Sequence, residues 1–174
     1  QAYGLRSIAL RYFNAAGALA DGSMGEDHSP ESHLIPILYE AALGQREAVT
    51  IFGDDYDTPD GTCIRDYVHV YDLAQAHILA LESLKNGGKG TQYNVGYGHG
   101  FSVKQMVEAA QKAAGTDFQV LMGERRAGDP ASLVADSSAI RNELGWKPAY
   151  DSLDAIMAHA WAWHSSHPHG YENE

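Results

Sequence analysis

The chain has 174 residues, 44% hydrophobic and 20% charged, with a formal net charge of −11 and a pI near 5.1. That composition fits one globular domain with a real core. No apolar run approaches the ~20 residues of a membrane span, and the acidity argues against nucleic acid, whose phosphates need clustered Lys and Arg.

Residues 7–13 (SIALRYF) alternate and are β-rich, so they read as a strand, ended by Asn14-Ala-Ala-Gly17. Residues 18–31, with their Gly, Asp, Ser and Pro, read as a loop. The pattern predicts a helix over 34–43, with Ile35, Leu38, Ala42 and Leu43 near one face. Pro36 fits its first turn, where a missing N–H costs little, and Gly44 stops it. Short strands are expected over 49–52 and 66–70. A helix over 72–84 follows, with Leu73, Ala76, Ala80 and Leu84 on one stripe, closed by Asn86-Gly-Gly88. Residues 92–95 read as a strand. Ser102-Val-Lys-Gln105 is a capping box for a helix ending near Gly115, and 118–122 is a further strand. Asp136 or Ser137 caps a short helix that stops at Gly145. Asp151 caps the last helix, whose core stripe is Leu153, Ile156, Met157, Ala160 and Trp161. The tail after His167 reads as loose. Strands alternating with helices imply an α/β fold.

The chemistry-bearing residues are sparse. The acidic loop from Gly53 delivers Arg65 onto a strand, and a guanidinium at such a junction can grip a phosphate with two parallel hydrogen bonds. In so acidic a chain any anionic ligand depends on a few local cations, and Arg65, Arg125 and Arg126 are the candidates. Gly96-Tyr-Gly98-His-Gly100-Phe101 mimics a dinucleotide turn, but Phe101 stands at the third glycine position, so it reads as a tight βα turn. No Tyr has Lys four residues later, and no Ser/His/Asp set is legible. His164-x-x-His167-x-His169 reads as a solvated tail, because no distant ligand pair accompanies it. Cys63, the single cysteine, excludes an internal disulfide, suits a reducing cytoplasm and reads as a packed loop thiol. No catalytic group and no metal site is therefore identified. There is no secretory signal pattern, and Gln1 in place of Met leads us to expect a start inside a longer protein.

Seven blocks carry a resemblance: LRYFNAAG (10–17), MGEDHSPESHLIP (24–36), IFGDDYDTPDGTCIRDYVHVYDLA (51–74), YNVGYGHGFSV (93–103), RRAGDP (125–130), ELGWKP (143–148) and HPHGY (167–171). In this order they resemble the C-terminal half of the UDP-glucose 4-epimerases, in the extended short-chain dehydrogenase/reductase superfamily. The resemblance implies the last strands of a Rossmann-type parallel sheet (1–17 and 69–96) plus a small C-terminal α/β substrate-binding domain (18–68 and 97–174). It implies an NAD-dependent enzyme that interconverts UDP-glucose and UDP-galactose through a 4-keto intermediate. NAD and the catalytic Tyr and Lys would belong mainly to the other half, leaving this chain the substrate grip and no turnover by itself. A cytoplasmic location and a homodimeric full-length protein are also implied, with a UDP-hexose as partner and neither nucleic acid nor membrane. The alternative is a non-catalytic UDP-sugar-binding or interaction module.

Residue by residue, the resemblance implies that Asn14 bonds the sugar–phosphate region, although a turn-forming Asn would look the same. Tyr12 and Phe13 would approach the nicotinamide, with plain strand core as the other reading of Phe13. His33, Leu34 and Val103 would touch the substrate, with a solvent-facing or helix-core place as the alternative for the first two. Thr50 and Phe52 would hold uracil through strand backbone. Arg65 and Arg126 would clamp the diphosphate and Asp129 would accept ribose hydroxyls. Tyr67 would approach the hexose, or serve as an ordinary strand tyrosine. Leu133 stands where the family limits sugar size, implying a preference for UDP-glucose and UDP-galactose over N-acetylhexosamines.

Overall fold

The computed structural model describes residues 4–88 and 91–171. In chain order the elements are β1 (Ala9–Arg11), β2 (Asn14–Ala16), α1 (Leu34–Ala42), β3 (Ala48–Phe52), β4 (Ile64–Arg65), β5 (Tyr67–His69), α2 (Val70–Lys85), β6 (Gln92–Asn94), β7 (Phe101–Ser102), α3 (Val103–Ala114), β8 (Gln119–Gly123), β9 (Ser132–Leu133), α4 (Ser138–Leu144) and α5 (Leu153–Ser166). The α/β class matches the expectation. Of the domain ranges drawn from the sequence, residues 1–3, 89–90 and 172–174 lie outside the described residues.

The strand expected over 7–13 is present as β1, and a second strand, β2, follows it at 14–16. β1 pairs in parallel with β6, Leu10 opposite Tyr93, and β2 pairs in parallel with β5, Asn14 opposite Tyr67. Asn14-Ala-Ala therefore forms a second ladder instead of ending the first. Gly17 permits the close approach that follows. Its φ is +81°, and a Cβ there would stand 2.6 Å from the His69 ring. Tyr12 and Phe13 fall between the two ladders and stay half exposed.

The strand expected over 66–70 is present as β5, and a further short strand, β4, precedes it. Arg65 lies on β4, the centre of a three-stranded sheet between antiparallel β7 and parallel β9. Tyr67–His69 forms β5. The His69 imidazole Nδ1 accepts the Tyr71 N–H at 3.1 Å, so α2 opens at Val70, two residues before the expected start. Asp72 is then inside the first turn and fully buried. Its carboxylate accepts the Ala149 N–H at 2.7 Å, the Tyr150 N–H at 3.0 Å and the Tyr97 O–H at 2.7 Å. Strands β7 and β9 have two residues each, too short to show alternation in a sequence.

Helices α1, α3 and α5 pack together over the core, with parallel β3–β8 beside them. The Tyr39 hydroxyl donates to the Met157 carbonyl at 2.6 Å in the interior, and burial pushes its pKa up. The capping box of α3 is present, and the helix ends on left-handed Gly115. At α4 the Asp136 carboxylate accepts the Ser138 N–H at 2.9 Å while Ser137 takes the cap position. The last helix corrects one expectation. Ser152 caps it in place of Asp151, and Trp163 is fully buried as well, while the expected stripe of Leu153, Ile156, Met157, Ala160 and Trp161 does pack on the core, Leu153 and Trp161 at its partly buried margin. The tail after His167 is not loose either. The Tyr171 N–H donates to Asp27 at 2.9 Å, and the Tyr171 ring packs on Trp163. Among the described residues no helix is long and apolar enough to cross a membrane.

Candidate functional site

One large cleft, about 1050 Å³, opens between β2, the start of α1, the end of β3, and β4–β5. That is the upper end of ligand-pocket sizes, about 300–1,000 Å³. The cleft gathers Tyr12, Phe13, Asn14, His33, Leu34, Thr50, Phe52, Arg65, Tyr67, Val103, Arg126 and Asp129. Of the residues singled out in the sequence for ligand contact, Leu133 and Arg125 are outside the lining. Leu133 stands on β9 opposite Arg65, half buried.

Each wall has a local cause. The Asn14 amide donates to the Asp66 carbonyl at 3.0 Å, which fixes the side chain at the end of the β1–β2 switch. Leu34 and Val103 are the first residues of α1 and α3, so two helix N-termini meet the cleft. The first N–H groups of α3 are already paired, Val103 with the Cys63 carbonyl at 3.0 Å, Lys104 with Thr62 Oγ1 at 3.2 Å and Gln105 with Ser102 Oγ at 3.1 Å, so what that helix end adds toward an anion is the positive end of its dipole. Thr50 and Phe52 lie on the β3 end that pairs with Leu121 and Gly123. Tyr67 is buried on β5, and desolvation pushes its phenol pKa up. Cys63 is buried in the wall, as a packed thiol should be.

The cations differ in how far they are committed. Arg65 donates to the carbonyls of Ile64 at 2.8 Å and Pro130 at 2.9 Å, and to Asp129 Oδ1 at 3.1 Å. Arg125 stacks over Tyr56 at 4.2 Å and pairs with Asp55 at 2.5 Å, and it does not line the cleft. Arg126 lies over the Phe52 ring at 3.9 Å, and among the described residues no carboxylate comes within 4 Å of it. Its charge is therefore held in place by an aromatic face and is available to a ligand.

The glycines of residues 96–100 have a packing task. A Cβ on Gly100 would stand 2.6 Å from the Ile64 side chain, and one on Gly96 would strike the Asp66 carboxylate and Ala135. The turn presses onto β4 instead of cradling a phosphate.

Sequence reasoning missed Gly25, Val70 and Tyr71, which also line the cleft. Gly25 is required because Trp163 occupies the place of its Cβ, a contact between positions far apart in sequence. Val70 and Tyr71 are exposed apolar residues off the buried stripe of α2. That mismatch was the available signal.

A sequence profile described as "NAD dependent epimerase/dehydratase family" matches residues 1–96. The UDP-glucose 4-epimerase of Halalkalibacterium halodurans is 56% identical over 174 residues, which is 100% of this chain and 52% of that protein. A crystal structure of a UDP-glucose 4-epimerase superposes with a TM-score of 0.96 at 53% identity, covering 99% of this chain and 53% of that one. The UDP-glucose 4-epimerase from Bifidobacterium longum, solved in complex with NAD+ and UDP, gives a TM-score of 0.86 at 40% identity, covering 94% and 49%. The chain spans about half the length of the curated relatives it matches.

Proposed function

Because the chain belongs to the NAD dependent epimerase/dehydratase family, we propose that it is the substrate-holding part of a UDP-glucose 4-epimerase. In this reading β1, β2, β5, α2 and β6 belong with the NAD-binding sheet, and the remaining elements close over the UDP-hexose. The observation that carries it is the cleft, whose lining brings Arg126, without a carboxylate partner among the described residues, together with Phe52, Tyr67 and the first residues of α1 and α3.

Arg126 and Arg65 hold the diphosphate. Of the two, Arg65 shares its fork with Asp129, so that carboxylate accepts a ribose hydroxyl while keeping the guanidinium oriented. Thr50 and Phe52 bound the uracil with Leu34 on the uridine side, Asn14 bonds the sugar–phosphate region, His33 and Val103 touch the substrate, and Tyr67 approaches the hexose. Tyr12 and Phe13 present ring edges toward a nicotinamide. NAD, when bound, supplies the hydride acceptor and donor. This chain binds and orients the sugar nucleotide and brings no Tyr-x-x-x-Lys pair of its own. We accordingly assign it no turnover by itself, and assign the whole protein a homodimeric state and a cytoplasmic setting.

The test is thermal unfolding with excess UDP-glucose, using ADP-glucose as control. A ligand at about 100 times its dissociation constant stabilises by about 2.7 kcal/mol. A rise in midpoint with the uridine compound alone supports the reading. A cooperative melt unmoved by either nucleotide sugar counts against the cleft as a self-sufficient grip.

A further inference from the structure

The loop before α1 gathers three ligand-type side chains, of which the sugar-nucleotide reading uses only His33. His28, Glu31 and His33 each offer one donor atom, and these atoms lie within 4.8 Å of one another. The two imidazole rings are 4.9 Å apart, centre to centre. Glu26 stands next to them, its Oε1 2.5 Å from His33 Nδ1. We propose that His28, Glu31 and His33 form a binding site for a divalent transition-metal ion of the zinc class, with Glu26 or water completing the coordination.

The local charge supports a cation. A polar cavity of about 180 Å³ lies against this loop, lined by Glu26, Asp27, Glu31 and Glu40 together with His28 and His164, and by no Lys or Arg. Glu40 is neutralised by Arg46 at 2.7 Å. Among the described residues no Lys or Arg comes within 4 Å of Glu26, Asp27 or Glu31.

The donor types select the metal. Two imidazoles and a carboxylate suit Zn²⁺, Co²⁺ or Ni²⁺, whereas Mg²⁺ and Ca²⁺ prefer oxygen alone. Zinc bonds of about 2.0–2.1 Å in tetrahedral array place ligand atoms about 3.4 Å apart. Closing from 4.8 Å to that spacing needs rotamer shifts in exposed imidazoles, not movement of the fold. Glu31 is already held, because its Oε1 accepts the N–H groups of Ser32 and His33 at 2.6 Å each, leaving the second oxygen for the ion. The site resembles a catalytic zinc centre in having three protein ligands and an open position. It lies at the rim of the main cleft, which His33 also lines. The proposal does not depend on the sugar-nucleotide reading, since its readout is metal binding alone.

The experiment is calorimetric titration of the chain with ZnCl₂, with CoCl₂ absorption as a geometric probe and MgCl₂ as control. One Zn²⁺ per chain and a visible cobalt band of tetrahedral intensity are expected. His28→Ala and His33→Ala should each weaken zinc binding at least tenfold, and His99→Ala should leave it unchanged. If His33→Ala does not fold, His28→Ala decides alone, because its side chain is 46% exposed and its removal leaves the core intact. Absence of zinc binding overturns the proposal. So does undiminished binding in both histidine variants, or loss of binding in His164→Ala while His28→Ala retains it. Equal heats with Mg²⁺ would overturn the assignment of metal class.

Discussion

Asp72→Ala is the sharpest test of how the start of α2 is held. The Asp72 carboxylate is fully buried and accepts three donors, the N–H groups of Ala149 and Tyr150 and the hydroxyl of Tyr97. In the alanine variant Tyr97 can turn to the Tyr150 carbonyl, already 3.0 Å away. The two backbone N–H groups have no such substitute. A buried, unsatisfied donor costs about 1–3 kcal/mol and these two are partly buried, so the variant should lose up to about 4 kcal/mol. Against a total of about 5–15 kcal/mol for a domain, that is close to unfolding. Asp72→Asn keeps one oxygen for Ala149 and orphans only the Tyr150 N–H, so its loss should be nearer about 2 kcal/mol. The assay is urea denaturation, reading the midpoint with the slope unchanged. An alanine variant within about 1 kcal/mol of the parent protein, on the same scale, would refute the reasoning. An asparagine variant as damaged as the alanine one would also refute it.

Arg126→Ala should weaken UDP-glucose binding about 10- to 150-fold, the equivalent of one charge-assisted hydrogen bond of about 1.5–3 kcal/mol, with little change in melting temperature. Calorimetry with UDP-glucose checks this, and an unchanged affinity would remove Arg126 from the diphosphate grip. The His69 imidazole is held neutral, its pKa pulled down to about 4 by burial and by His159 at 3.0 Å. The unfolded chain therefore binds this proton before the folded one does. Stability from this group is full above about pH 6.5 and drains away as pH falls toward 4, by at most about 3 kcal/mol. Ring-proton NMR should show His69 still neutral at pH 5.5, and titration near 6.5 would contradict the burial argument.

What was legible in the sequence was whatever local pattern dictates. The capping box at Ser102, the left-handed stop at Gly115 and the amphipathic stripes of α1 and α2 needed no tertiary knowledge. The cleft residues were legible through resemblance, since nothing in the local spacing of Asn14, Thr50 and Arg126 announces that they share one space. What escaped was set by distant partners. The switch of β1–β2 from β6 to β5 depends on His69 and Gly17 meeting across the fold. The earlier start of α2 depends on a histidine acting as an N-cap, a role usually filled by Ser, Thr, Asp or Asn. Two-residue β7 and β9 exist because β4 lies between them. Trp163 is buried in addition to the stripe that carries Trp161, because the loop at Gly25 has no side chain there.

That Trp163 contact ties the end of the described chain to the mouth of the cleft. The indole N–H donates to the Glu26 carbonyl at 2.9 Å, its ring stacks on His167 at 3.9 Å, and Tyr171 bonds back to Gly25 and Asp27. The rim segment 24–33 is thereby moored from behind by residues 163–171. Trimming the chain at Ser166 would cut two of the moorings without touching a single cleft residue. The loss would appear as a blunted response to ligand, and Trp163 fluorescence would report the slackened rim directly.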